Sequence, residues 1–376
     1  MNPEALLRPI ALEDFVREDL GRRPRHISGR PAAYYASLFS RPELDAILWA
    51  AGEDLRRECF LIEAGRRSDF PRREGADLRD WLREGYRRGA TAIVNHVERR
   101  SPAIARFQRA LEIALDARTD VTAVLTPPGA RGFAPHFDGA EALILQVEGE
   151  KRWRLYPPVA ECPVEYRTVD EPALPAPTHE LTLRAGDLLH VPRGVVHAVF
   201  TETAPSLHLT VGVHIYRWVD FLEDLIEGVA QADVELRRRA AGQDLRAILV
   251  RFRERAPAAT AAALARRRRR TVATSPPLPG GALARDPAPF DEAGSFARPA
   301  GTRCHVLQVA GRAVLEFAGE RTASVRGPAH IRPALCFIAS VDGPFAIAAL
   351  PDSLSFEEKC ALVRRLVAEG CLEAVG

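Results

Sequence analysis

Residues 135–156 begin Pro135-His136-Phe137-Asp138. A mostly apolar run follows from Ala142 to Val147, and then Glu148-Gly149-Glu150-Lys151-Arg152-Trp153-Arg154-Leu155-Tyr156. His136 and Asp138 are two positions apart. On an extended strand, residues i and i+2 point to one face, so both side chains can reach one point. An imidazole and a carboxylate converging there suit a divalent first-row metal. A third ligand is offered by His197, which ends the segment Pro192-Arg193-Gly194-Val195-Val196-His197. Two histidines and one carboxylate with open positions make the facial triad of non-haem iron(II) oxygenases.

A lone His-x-Asp is a weak signal, but its surroundings strengthen it. It follows a Pro/Gly turn and precedes a strand, which places it at the mouth of a sheet. His197 arrives after a separation that several strands require. Lys151 puts a cation nearby. A charged lysine is costly to bury unpaired, so a lysine on a barrel strand invites an anion. The far carboxylate of 2-oxoglutarate is such an anion, and its keto-acid end would sit on the iron. In the plainer alternative, Lys151 reaches solvent and both histidines are satisfied turn residues.

Short strands and turns continue on both sides. Val121–Leu125 and Ala142–Val147 read as strands, with a tight hairpin turn at Gly149-Glu150 and a return strand Lys151–Tyr156. Leu181–Arg184, Leu188–Val191, His197–Phe200 and Leu207–Ile215 complete the run, which predicts a sandwich or barrel. A barrel with alternate residues facing inward can hold a metal and one small ligand. The first 120 residues are mainly helical. Ser101 caps a helix to about Asp116, with Pro102 as its first residue and apolar positions Ile104, Phe107, Leu111 and Ile113.

Helical spacing returns after Tyr216, in the stripe Trp218, Phe221, Leu222, Leu225, Ile226 and Val229. A second helix is expected over Leu245–Arg253, and a third ending in Arg266–Arg270. Pro276, Pro277, Pro279, Gly280 and Gly281 give residues 271–300 a linker composition. Residues 301–376 alternate small strands with short helices, which fits a winged-helix-like module. The expected division is 1–215 for the barrel domain, 216–270 helical, 271–300 linker and 301–376 C-terminal domain.

Bulk composition excludes several classes. A net charge of +2 over 376 residues gives no whole-protein field to attract nucleic acid. The run Arg266–Arg270 reads as a solvated helix end, so direct nucleic-acid binding is not expected. The six cysteines include no Cys-x-x-Cys and are dispersed, against a zinc finger or a disulfide framework. A reducing, cytoplasmic location is the simplest reading. No window approaches ~18 uninterrupted apolar residues, so no membrane span is expected.

The segment Thr126-Pro127-Pro128-Gly129 through Gly132-Phe133-Ala134-Pro135-His136-Phe137-Asp138, with Leu145-Gln146-Val147-Glu148-Gly149-Glu150-Lys151-Arg152-Trp153 after it, closely resembles the ribosomal oxygenases. These are JmjC-type cupins, iron(II)- and 2-oxoglutarate-dependent protein hydroxylases. The match continues through Gly186-Asp187, Pro192 to His197 and Ser206-Leu207-His208-Leu209-Thr210. The resemblance implies an α+β fold. It has a double-stranded β-helix (cupin/JmjC) barrel with flanking helices, a helical dimerisation region and a winged-helix-like C-terminal domain. By the same resemblance His136, Asp138 and His197 are the iron ligands and so the catalytic centre. Lys151 holds the distal carboxylate of 2-oxoglutarate, and Ser206 places a hydroxyl near it. A homodimer and a protein substrate, such as a ribosomal protein modified at Arg or His, are implied too.

The substrate side departs from the family. Positions that often carry Asn-x-Tyr hold Thr122 and Val124, and a second acid after the metal aspartate is replaced by Gly139. An oxygenase acting on a biosynthetic peptide or small molecule therefore stays open, as does a non-catalytic cupin binding module. Nothing identifies a methyl-lysine cage. His190 and His208, on apolar strands, read as packed or hydrogen-bonded rather than ligating.

Overall fold

In this computed structural model, residues 51, 72–74, 240–244, 280–289 and 376 are outside the description, and all others of the 376 are within it. Residues Met1–Ile215 and Tyr216–Gly376 form two compact units. The first carries strands β1 (Arg25–Ile27), β2 (Cys59–Glu63), β3 (Arg66–Asp69), β4 (Thr91–Val94), β5 (Arg118–Thr126) and β6 (His136–Phe137). Then come β7 (Glu141–Leu155), β8 (Arg167–Thr168), β9 (His179–Arg184), β10 (Leu188–Val191), β11 (His197–Phe200) and β12 (Ser206–His214). Helices α1 (Pro3–Leu7), α2 (Leu12–Glu18), α3 (Arg41–Trp49), α4 (Glu53–Glu58), α5 (Leu78–Arg87) and α6 (Pro102–Ala114) flank them.

These strands join into one curled antiparallel sheet, and β7 is its corner. The first half of β7 pairs with β12 and β10, in a run that extends through β5, β4 and β2 to β3. Its second half pairs with β9 and β11, and β11 continues to β6 and β8. The hairpin expected at Gly149-Glu150 is therefore absent, and residues 141–155 are one strand. A glycine with positive φ serves a tight turn and a strand kink equally well. Here Gly149 has φ +69°, and a Cβ on it would lie 1.9 Å from the Pro205 carbonyl oxygen. The result is a double-stranded β-helix, so the α+β cupin class expected from the sequence is the observed one.

Alternation sorts the strand residues between two cores. Leu61, Ala92, Val121, Ala123, Leu207 and Leu209 face outward and join one apolar cluster with Leu82, Ile104, Phe107 and Leu111 of the helices. Helix α6 begins as its sequence dictates, with the Ser101 hydroxyl accepting from the Ile104 N–H at 3.3 Å and Pro102 in the first turn. Each fully buried side chain such as Phe107 adds about 1.5–3 kcal/mol. Ile113 is a correction, because it is 48% exposed. Two residues beyond Leu111, it lies about 200° round the helix from the buried stripe. Positions 124 and 126 of β5, 151 and 153 of β7, and 206 and 208 of β12 turn the other way, into the barrel.

The second unit corrects two boundaries. Helix α7 (Trp218–Ala232) packs on a single helix α8 (Leu245–Thr274), where two helices were expected. Pro257 lies inside α8. Proline disfavours a helix interior, but the cluster of Leu225, Val229, Ala259 and Ala263 holds the alanine-rich turns beyond it. The expected linker is shorter than 271–300, since α8 runs through Thr274 and Leu278 N–H bonds the Gly319 carbonyl at 2.8 Å. Gly280 and Gly281 lie outside the described residues. Strand β13 (Ser295–Ala297) pairs with β17 (Phe345–Ala346) and β18 (Glu373–Val375), while β14 (Arg303–Val309), β15 (Arg312–Ala318) and β16 (Thr322–Pro328) form a meander. Helices α9 (Arg332–Ser340) and α10 (Phe356–Ala368) cover a shared core. Among the described residues no helix is long and apolar enough to cross a membrane.

The arginine run is used inside this unit. Arg266 bonds Glu227 and Gln231, Arg269 bonds Glu316, and Arg270 bonds Asp224. The Arg267 guanidinium lies 3.9 Å from the Tyr216 ring centroid. Four of the five arginines thus have partners within this unit.

Candidate metal centre

Strands β6 and β11 are antiparallel neighbours, and His136 and His197 are direct cross-strand partners. Their ring centroids are 4.2 Å apart. Asp138 follows β6 on the same face, with its Oδ2 3.8 Å from the His197 Nε2. One ligand atom from each of the three lies within 4.8 Å of the others. The two segments are pinned together by a hydrogen bond from the Gly194 N–H to the Asp138 carbonyl, at 3.0 Å.

Both imidazoles are oriented by the backbone. His136 Nδ1 is 2.8 Å from the Ala134 carbonyl oxygen, and His197 Nδ1 is 3.2 Å from that of Val195. A carbonyl oxygen only accepts, so each Nδ1 donates and each Nε2 is left as the candidate ligand atom. That arrangement is how metal-binding histidines are commonly fixed. Burial, reinforced by His197, pushes the His136 pKa down to about 3, so its ring stays neutral. Burial raises the Asp138 pKa; His197 counters this and Asp120 adds to it. A divalent cation would favour the ionised carboxylate. This donor set, two imidazoles and one carboxylate, fits a divalent first-row metal.

Lys151 lies fully inside the barrel, 1% exposed. Its Nζ donates to the Thr126 hydroxyl at 2.8 Å. Burial lowers its pKa from 10.5 to about 7. No salt bridge to Lys151 occurs among the described residues, so its charged form has no anionic partner there. Ser206 sits across from Thr126 in the β12–β5 register, and its hydroxyl accepts from Gln146 Nε2 at 2.8 Å. Lys151 and Ser206 thus lie on neighbouring strands, β12 beginning one residue earlier than the expected Leu207. Thr126 was missed as the lysine's partner, although its spacing of two from position 124 puts it on the inward face.

The three positions expected on the substrate side differ in chemistry. The Thr122 hydroxyl donates to Asn95 Oδ1 at 2.9 Å. Val124 belongs to a small apolar cluster with Phe60, Ile62 and Ile93. Gly139 is sterically required, because a Cβ there would come within 2.7 Å of the backbone at Val164 and Glu165. An acidic side chain is excluded by that close approach. The same loop delivers Tyr166, whose ring centroid is 5.0 Å from that of His136. Burial and then Asp138 raise the Tyr166 pKa to about 12. Tyr166 carried no sequence signal, since it lies in a loop without periodicity. Trp153 also lines the site, stacked 5.7 Å from His197. His190 meets the expectation of a satisfied histidine, with Nε2 3.1 Å from Glu141. His208 is buried as expected.

Gly194 has φ +84°, and a Cβ would lie 2.5 Å from the Ala160 carbonyl oxygen. Gly194→Val is therefore expected to move the 192–197 turn and weaken divalent-metal binding by tenfold or more, roughly 1.4 kcal/mol. Calorimetric titration with Mn(II) checks this; unchanged affinity would contradict the pinning role.

Residues 93–221 match the JmjC domain family, and the His-Asp-His cluster lies within the matched residues. The resemblance read from the motifs holds more narrowly too: the chain is similar to ribosomal oxygenases. Ribosomal oxygenase 2 of Rattus norvegicus is 34% identical over 247 residues, covering 62% of this chain and 53% of that protein. The bifunctional lysine-specific demethylase and histidyl-hydroxylase NO66 of Aedes aegypti is 29% identical over 246 residues, covering 62% and 38%. The chain thus spans about half or less of these relatives' length. The Escherichia coli ribosomal oxygenase YcfD, solved with cobalt and 2-oxoglutarate, matches at a TM-score of 0.55 with 17% identity over 98% of this chain and 99% of that one. That likeness shows the fold.

Proposed function

We propose that this chain is an iron(II)- and 2-oxoglutarate-dependent oxygenase that hydroxylates a side chain of a protein, with ribosomal proteins as the first class to test. The observation that carries this reading is the combination of one metal-competent triad and one buried, anion-seeking lysine in the same barrel. The names of the similar proteins, and the cobalt and 2-oxoglutarate bound by YcfD, support it.

His136, Asp138 and His197 would hold the iron through Nε2, a carboxylate oxygen and Nε2. Lys151, steadied by Thr126, would pair with the distal carboxylate of 2-oxoglutarate, and Ser206 lies on the adjoining strand. Iron(II) with 2-oxoglutarate and dioxygen would supply an oxidant that inserts one atom of the dioxygen into a C–H bond, while the other atom enters succinate as 2-oxoglutarate loses carbon dioxide. The protein's part is to orient and to exclude water. Trp153 walls the site on one side, and Tyr166 covers His136 on another.

Thr122, Val124 and Gly139 would line the substrate side. The Thr122–Asn95 bond and the apolar setting of Val124 make this wall differ from the Asn-x-Tyr pattern. That difference favours, as a second reading, an oxygenase acting on a biosynthetic peptide or small molecule. The division into an oxygenase domain at 1–215, a dimerisation region at 216–270 and a winged-helix-like domain at 301–376 is part of the proposal. So is the homodimer. Trp218 at 82%, Leu222 at 47% and Ile226 at 52% exposed give α7 an apolar outer face for a second copy. A cytoplasmic setting fits the free cysteines.

Mass spectrometry of ribosomal proteins from cells with and without the gene tests the substrate class. A gain of one oxygen atom on a single residue, present only with the gene, is expected. Its absence would leave the smaller-substrate reading.

A further inference from the structure

One buried titratable group in the barrel has no part in the scheme above. His208 is 3% exposed, and its Nδ1 has no hydrogen-bond partner among the described residues. Buried polar atoms are normally paired, so such a nitrogen calls for an explanation. His190, also on a strand and buried, likewise has an unpaired Nδ1, but its Nε2 meets the Glu141 carboxylate at 3.1 Å. Nothing comparable reaches His208.

Its surroundings indicate what is missing. Strand alternation puts Ser206 and His208 on the same inward face of β12. The register sets Ser206 against Thr126 and His208 against Val124 on β5, and His208 against Gln146 on β7. The Lys151 ammonium therefore opens onto the space that His208 borders. The Trp153 ring stands edge-on to His208 with centroids 6.0 Å apart, and its own Nε1 also lacks a partner. Burial, and then the charge of Lys151, keep the His208 ring neutral. A neutral imidazole carries one N–H and can donate one hydrogen bond. A carboxylate offers about four acceptor sites, more than Lys151 and Thr126 fill.

We propose that His208 is a positioning residue whose Nε2, the nitrogen not sealed within the wall, donates a hydrogen bond to the distal carboxylate of the co-substrate, beside Lys151. This rests on the oxygenase reading. Lys151 balances the charge of the anion; His208 fixes its orientation without adding a second charge. Its effect is expected at the far end of the co-substrate, where Lys151 stands.

Calorimetric titration without oxygen, on protein loaded with Mn(II), tests this. The ligands are 2-oxoglutarate and oxalate; oxalate chelates a metal but has nothing to reach Lys151. His208→Phe is expected to weaken 2-oxoglutarate by about tenfold or more. Oxalate and Mn(II) affinities stay at the wild-type level, and His208→Asn restores most of the loss. Unchanged 2-oxoglutarate affinity in both variants, or equal losses for both ligands, would overturn the assignment. If His208→Phe fails to fold, His208→Asn and His208→Leu decide it by the same ratio of affinities. A wild-type protein that binds neither Mn(II) nor 2-oxoglutarate would instead remove the oxygenase reading itself.

Discussion

His136→Ala is expected to abolish metal-dependent turnover of 2-oxoglutarate to succinate, while the protein stays folded. The ring's Nε2 is one of three ligand atoms gathered within 4.8 Å, and no other histidine, cysteine or acidic cluster of this kind occurs among the described residues. Losing one of three protein ligands leaves a site too weak and too open to hold a ferrous ion in place. Fold retention follows from where the side chain sits. His136 is on a two-residue strand at the mouth, outside the main apolar cluster, and its burial already holds it neutral against its ordinary pKa. Succinate release, followed with and without added iron(II), checks activity, and circular dichroism checks the fold. Turnover at the wild-type rate would exclude His136 from the centre.

Lys151→Met is expected to raise the dissociation constant for 2-oxoglutarate by about a hundredfold, since a buried charge-assisted pair contributes about 2–3 kcal/mol. The same substitution should not destabilise the free protein. Burying an ammonium without an anion is costly, and a methionine of similar length removes that cost. Weaker binding with equal or greater stability is a combination that loss of packing could not produce.

The same lysine sets a pH dependence. Its folded pKa is about 7, below the ordinary 10.5. It is charged below about pH 7 and neutral above it, so affinity for the dicarboxylate should fall as pH rises past 7. In the free protein, the unfolded chain holds this proton between about 7 and 10.5 while the folded chain does not. Stability from this group therefore grows with pH across that window and is lost as pH falls to 7. Titrations at pH 6.5 and 8.5 (chosen to straddle about 7) in buffers of different ionisation heat should show proton uptake on binding at the higher pH. Identical affinities at both would rule out a neutral Lys151.

The sequence determined the elements whose signal is local. His136-x-Asp138 needed only the two-residue period of a strand, and the Ser101-Pro102 start of α6 needed only the chemistry of a helix N-terminus. The successive family-like motifs from Thr126 to Thr210 carried the barrel class. What the sequence left undetermined depends on contacts between distant segments. A glycine at position 149 does not say whether the chain turns back or bends and continues, and pairing with β12 and β9 decided for the bend. Gly139 looked like a lost acid, and only the backbone arriving at 164–165 shows that a side chain has no room there. Tyr166, Thr126 and His208 joined the site in the same way. Local pattern fixes which face a residue turns to; which other residues share that face is set by how the sheet closes, because the closing contacts join positions far apart in the chain.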